Sequence, residues 1–235
     1  MRLIAKLVLF GALAACTTGP RDRTDLRPTA DPSAVIATEL AFARAAQEKG
    51  QWTAFREYAT RDAVMFVPGP VNAQDWLRKQ TDPPRAVAWQ PHQVWSSCDG
   101  SLAVTKGAWQ RPDGSVGYFT TVWQRQDNRE YKWVMDQGDT LSEPLEAPEM
   151  IGANVAECGE APGKRAAAAE FEAELDQEGF FQLADGATSL TSASEDGTLA
   201  WSYDYAPTGE RRFKVALRRG SKLAEVLDSS VQNPG

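Results

Sequence analysis

The sequence contains one histidine, His92, and three cysteines, Cys16, Cys98 and Cys158, spread along 235 residues. A metal centre needs ligands at close spacings, and these residues do not provide them. Asp22, Asp25 and Asp31 are too dispersed for a calcium loop. No Gly-x-Ser-x-Gly elbow, Walker loop or dinucleotide fingerprint occurs, so no cofactor is implied. Basic runs are missing as well. The net charge is −7, and with no run of Lys or Arg to meet phosphates, nucleic acid is disfavoured as a partner. The apolar run Leu7–Ala15 is roughly half the length of a membrane-spanning helix. No internal repeat is evident.

That short run has another meaning. Arg2 and Lys6 precede it, as in an export signal, and it ends in Leu13-Ala14-Ala15-Cys16. This ending resembles the bacterial lipobox. The resemblance implies cleavage after residue 15 and a diacylglyceryl group on the Cys16 thiol, which would anchor the chain to a membrane. The alternative is an ordinary secretory signal followed by a chance Cys. Thr17 and Thr18 follow with no Asp, and by resemblance to known sorting rules this points to the outer membrane, facing the periplasm. Residues 16–32 carry Pro20 and Pro28 and almost no large apolar group, so they read as a flexible tether. Removing residues 1–15 takes away Arg2 and Lys6 and brings the charge to about −9.

Cys98 and Cys158 then form an even pair in an oxidising compartment. A bridge would close a loop of about 60 residues, worth about 4 kcal/mol on chain-entropy grounds; the alternative is two free thiols. Cys98 sits in Ser97-Cys98-Asp99-Gly100, which reads as a hairpin turn and not as a nucleophile's setting. We expect the Pro/Gly-rich segment 143–163 to cross back along a sheet edge and be pinned there by the bridge.

Asp31-Pro32-Ser33 reads as a helix start, with Val35, Leu40, Phe42, Ala43 and Ala46 as the apolar face and Gly50 as the stop. Trp52, Phe55 and Tyr58 mark a second short helix. Ala63–Val67 is a brief strand, and residues 72–80 a third helix capped by Asn72. Four strand-like runs follow: Ala86–Ser96, Leu102–Gln110, Val116–Gln126 and Tyr131–Gln137. Tight turns link them into an antiparallel meander. Residues 143–196 read as a linker with a possible helix at Arg165–Gln177. Within residues 197–229, Thr198–Tyr205, Arg211–Arg218 and Leu223–Leu227 form a small β appendage, expected to pack on the main domain. The fold class is α+β.

The order of these elements resembles the nuclear-transport-factor-2-like superfamily, the cone-shaped fold of ketosteroid isomerases and SnoaL-like cyclases. Ala54–Thr60 with Asp62–Phe66, Asp99–Val104 and Trp133–Asp136 carry the likeness, which covers roughly residues 33–140 of a domain read as residues 33–142. It implies an apolar cone, and an enzyme of the group would place a carboxylate base and an oxyanion site within it. Asp136 is the best candidate acid, although its alternation with Val134 equally suits a strand end facing water. Tyr58 could fill the Tyr role, but its aromatic stripe suits core packing. Asp62 has no need of a role beyond a turn. His92 could exchange a proton near neutral pH, or be a plain strand residue. No complete catalytic set is identified. Trp109, Phe119, Trp123, Trp133 and Met135 either line an apolar ligand pocket or fill the core, with Trp133 and Met135 read as sharing a strand face. The leading expectation is a lipid-anchored domain that binds a small apolar ligand or an envelope protein. The alternative is an isomerase, cyclase or hydratase. The resemblance also allows a sheet-to-sheet homodimer.

Overall fold

A computed structural model describes residues 29–177 and 186–231. The expected export signal, Cys16, Asp22, Asp25 and most of the expected tether lie outside the described residues. Helix α1 (Pro32–Lys49) begins as its sequence dictates: the Asp31 carboxylate accepts from the Ala34 amide at 3.1 Å, and Pro32 occupies the first turn. Gly50 ends it at φ 110°, where an added Cβ would strike the Asp82 carboxyl at 2.4 Å. That contact has a purpose. Asp82 accepts from the amides of Trp52 and Thr53 and from the Thr53 hydroxyl, and so caps helix α2 (Gln51–Tyr58) from 30 residues away.

The apolar face of α1 differs from the expected one. Leu40 is exposed, and a charged residue, Glu39, is fully buried one position earlier, between Val35 and Phe42. The helical period allows this, since residues 35, 39, 42 and 46 share one stripe.

Strand β1 (Ala59–Phe66) is longer than its apolar run suggested. It leads to β2 (Pro70–Asn72), and Asn72 caps the short α3 (Ala73–Leu77) by accepting from the Asp75 amide. The meander follows as β3 (Ala88–Ser96), β4 (Leu102–Gln110), β5 (Val116–Arg125) and β6 (Tyr131–Leu141). A strand inside the expected loop, β7 (Gly152–Val155), pairs parallel to β3 and completes a seven-stranded sheet in the order β2-β1-β6-β5-β4-β3-β7. Helices α1–α3 fill the concave side, packing Phe42, Ala54 and Leu77 onto Trp123 and Trp133.

The C-terminal part is larger than the expected meander. Helix α4 (Lys164–Gln177) precedes β8 (Thr188–Ala193), β9 (Leu199–Tyr205), β10 (Arg211–Arg219) and β11 (Lys222–Val231), which form a second, four-stranded sheet. Period-two alternation gives this sheet two buried faces. Trp201, Tyr203, Phe213, Val215 and Leu217 meet Trp95, Val104, Val122 and Met135 on the convex side of the first sheet. On the other side the small residues Ala193, Ala200 and Ala216 let α4 lie close, through Ala167 and Phe171. The poly-Ala stretch of α4 is thus a packing surface. The molecule has four layers: helices, sheet, sheet and helix. The convex face that a sheet-to-sheet dimer would use is occupied by the chain's own second sheet.

Two turns join the sheets. The amide of Asp99 donates to the Asp196 carboxylate at 2.9 Å, and the Asp196 amide returns a bond to Asp99 at 3.2 Å. The Cys98 amide reaches Thr198 Oγ1 at 2.8 Å. Cys98 is bridged to Cys158 with Cα atoms 5.3 Å apart, within the usual disulfide range. The expected crosslink therefore pins the segment after β6 to the β3–β4 turn. The chain enters at the same place, where the Ala30 amide donates to the Cys98 carbonyl at 2.8 Å.

Candidate functional site

Two β-bulges decide which side chains enter the cone. Both follow from one extra residue in a strand, which a period-two reading cannot register. In β3 the register slips between Pro91 and Gln93, so His92 is the surplus residue. Trp89 consequently packs in the cone, whereas Trp95 joins the core between the sheets. In β6, Trp133 pairs with Trp123 but Met135 pairs with Val122, leaving Val134 surplus. Trp133 and Met135 therefore lie on opposite faces, correcting the expectation that they share one. The same slip turns Asp136 into the cone.

The result is a cleft of about 250 Å³ between α2 and the ends of β1, β3, β4 and β6. Phe42, Trp52, Phe55, Trp89, Trp109 and Phe119 supply aromatic walls, and Asp136, Gln137 and Asp139 are polar lining residues beside Gln51, Arg111 and Thr140. Trp109 lies flat on the sheet because residue 117 is glycine: a Cβ there would meet the indole at 2.2 Å. Its Nε1 donates to the Tyr118 carbonyl at 2.8 Å, and the Arg111 guanidinium covers its ring at 4.4 Å.

Asp136 is the chemical centre. Thr121, its cross-strand partner, donates to Oδ2 at 2.8 Å. Burial among the rings raises its proton affinity. The Thr121 bond lowers it, Glu39 raises it and Arg211 lowers it, for a pKa of about 7. An acid so placed exchanges its proton near neutral pH and can act as a hydrogen-bond acceptor or donor on either side of that point.

Glu39 was not singled out from the sequence, and its only signal was its place on the apolar stripe of α1. It accepts from Trp89 Nε1 at 2.8 Å, Thr105 Oγ1 at 2.6 Å and Trp123 Nε1 at 3.0 Å. Burial pushes its carboxyl above the usual range, and these three donors oppose the shift. The indoles are therefore polar ligands of a buried acid as well as core filling. Glu39 does not line the cleft; its work is to hold the walls.

The other expected residues divide as follows. Trp109 and Phe119 line the cleft. Trp123 and Trp133 are fully buried behind it, and Met135 is under the second sheet. Tyr58 stacks on Phe42 at 5.0 Å with Lys132 over its ring, outside the cleft. His92 and Asp62 are not among the lining residues either. The structure thus brings neither Tyr58 nor His92 to Asp136. Among the described residues no group of three or more His, Cys, Asp or Glu is arranged to hold a metal.

No protein-family model and no curated protein matches the chain. Solved structures of similar fold include a protein provisionally described as a ketosteroid isomerase from Parabacteroides distasonis, with 12% identity over 49% of this chain and 97% of that one, at a TM-score of 0.39. A protein provisionally described as an aromatic ring hydroxylase from Novosphingobium aromaticivorans shows 16% identity over 48% and 91%, at 0.36. An NTF2-like protein of unknown function from Mesorhizobium loti shows 18% identity over 48% and 95%, at 0.30. The likeness is one of fold.

Proposed function

We propose that this chain is an envelope protein, held to a membrane by lipid on Cys16, whose cone binds a small and mostly apolar molecule carrying one hydrogen-bonding group. The observation that carries the binding reading is Asp136, a single acid with a pKa of about 7 facing an aromatic cleft of about 250 Å³. Aromatic walls supply most of the binding energy for such a ligand, and one polar group fixes its orientation.

A bicyclic probe pair tests this. At pH 8 Asp136 is ionised and accepts a charge-assisted hydrogen bond from a hydroxyl, so 2-naphthol should bind more tightly than naphthalene, and the gap should narrow below pH 6, where the neutral acid makes a weaker bond. Trp109→Ala should weaken both probes about tenfold, the equivalent of one lost ring contact. Equal binding of the two at pH 8 would remove Asp136 from the reading.

The anchor rests on the signal-like N-terminus alone, since no described helix is long and apolar enough to cross a membrane. Cys16→Ser in a bacterial host should lose the acyl mass and move to the soluble fraction. Retention of both would refute lipidation.

The proton affinity of Asp136 also favours a second reading, an isomerase, cyclase or hydratase in which this acid carries the proton. Tyr58 and His92 stand apart from the cleft, so Asp136 would have to act without them. Turnover of a carbonyl compound that disappears in Asp136→Asn would select this reading.

A further inference from the structure

The second sheet backs the wall of the cleft: Tyr203 packs on Phe66 at 5.1 Å, and Arg211 bonds to the wall directly. Arg211, the first residue of β10, donates from Nε to the Gln137 side-chain oxygen at 3.1 Å and from a terminal nitrogen to the Gly138 carbonyl at 2.6 Å. Its guanidinium covers the Phe66 ring at 4.9 Å. Phe66, Gln137 and Gly138 all line the cleft, and Gln137 and Gly138 follow Asp136 directly in β6.

We propose that Arg211 is a positioning residue of the cleft: it clamps three wall residues from behind, two of them next to Asp136 in β6, and its charge eases the loss of that acid's proton. A buried guanidinium fits both tasks, because its planar fork holds two acceptors at once and stays charged throughout the working range. Asp136 is faced by Glu39 from α1 and Thr121 from β5, with Asp139 and Arg111 at the cleft rim. Within this set Arg211 opposes Glu39: the cation favours the charged form of Asp136 and the acid disfavours it. The C-terminal sheet thus serves the site as well as the stability of the molecule.

This inference rests on Asp136 being the working group of the cleft but not on any ligand being bound. The test is a carbon-detected NMR titration of the Asp136 carboxyl in the whole mature chain. Arg211→Met should move the midpoint to higher pH by about one unit, the usual effect of losing a nearby opposite charge. Arg211→Lys keeps the charge and should stay near the wild type. Lys214→Met removes a cation from the other face of β10 and should change nothing. If Arg211→Met does not fold, Arg211→Gln removes the charge while keeping a donor and takes its place. An unmoved midpoint in the uncharged variants overturns the proposal, as does an Arg211→Lys midpoint displaced as far as that of the uncharged variants. Should 2-naphthol fail to bind while the midpoint still moves as expected, the ligand reading falls and the role of Arg211 stands.

Discussion

Asp136→Asn should be more stable than the wild type at pH 8 and no more stable at pH 4. The folded-state pKa of Asp136 is about 7, against an ordinary value of 3.8. Between these values the folded chain holds a proton that the unfolded chain has released. For a raised acid this means that stability falls as pH rises through the window from about 4 to about 7 and levels off above it. The full effect is roughly 4 kcal/mol, at about 1.4 kcal/mol for each pH unit of the window. Asparagine keeps the oxygen that accepts from Thr121 and carries no charge to desolvate. Its gain at pH 8 should be about 2–4 kcal/mol, or a rise in melting temperature of roughly 5–15 °C for a domain of this size. Thermal melts of both proteins at pH 4, 6 and 8 decide the matter: a gain that does not grow with pH would contradict the assignment of the raised acid to Asp136.

Reduction of the Cys98–Cys158 bridge should have an effect of similar size. The bridge closes a separation of 60 residues. On chain-entropy grounds it contributes about 4 kcal/mol, so reduction should lower the melting temperature by about 10 °C. The local consequences should be larger than this average. β7 has four residues and is an edge strand paired with β3, and the segment beyond it is tied down by a few hydrogen bonds, such as Glu157 N to the Arg218 carbonyl at 3.1 Å and Gly220 N to the Glu157 carboxylate at 2.6 Å. Amide exchange at Gly152–Val155 should therefore accelerate first. Calorimetry with and without a phosphine reductant provides the check, together with Cys98→Ser/Cys158→Ser, which should match the reduced form. Melting that ignores the reductant would show that the hydrogen-bonded turns alone suffice.

The parts of the fold that were legible are those fixed by local chemistry. The Asp31 cap, the Gly50 stop, the limits of β4 and the turns of the meander all depend on residues close in sequence. β7 was missed because Gly-Ala-Asn-Val has little strand character and gains its partner from about 60 residues upstream. The candidate site was less legible, for a related reason. One surplus residue at Val134 reverses the facing of everything after it, so the alternation that placed Met135 beside Trp133 was sound up to the bulge and wrong beyond it. Asp136 was named from its strand, but the cause of its inward facing was not visible. Glu39 was in principle visible as the lone acid on an apolar stripe. Arg211 left no such trace, since only the stacking of the two sheets brings it to Gln137.

The point where the chain enters the domain determines how a lipid at Cys16 would moor it. Ala30 is fastened beside the β3–β4 turn, together with the bridge and the paired Asp99 and Asp196 turns. The cleft opens at the other end of the same strands, near Trp89 and Trp109, about 30 Å away along β4. With the lipid proposed at Cys16, a domain hung from that pole would have its mouth at the end farther from the anchor, although the tether read from the sequence would leave it free to turn. Its cargo would then arrive from the water, or from whatever stands opposite across the aqueous gap, and a molecule dissolved in the anchoring leaflet would have to leave it before it could enter.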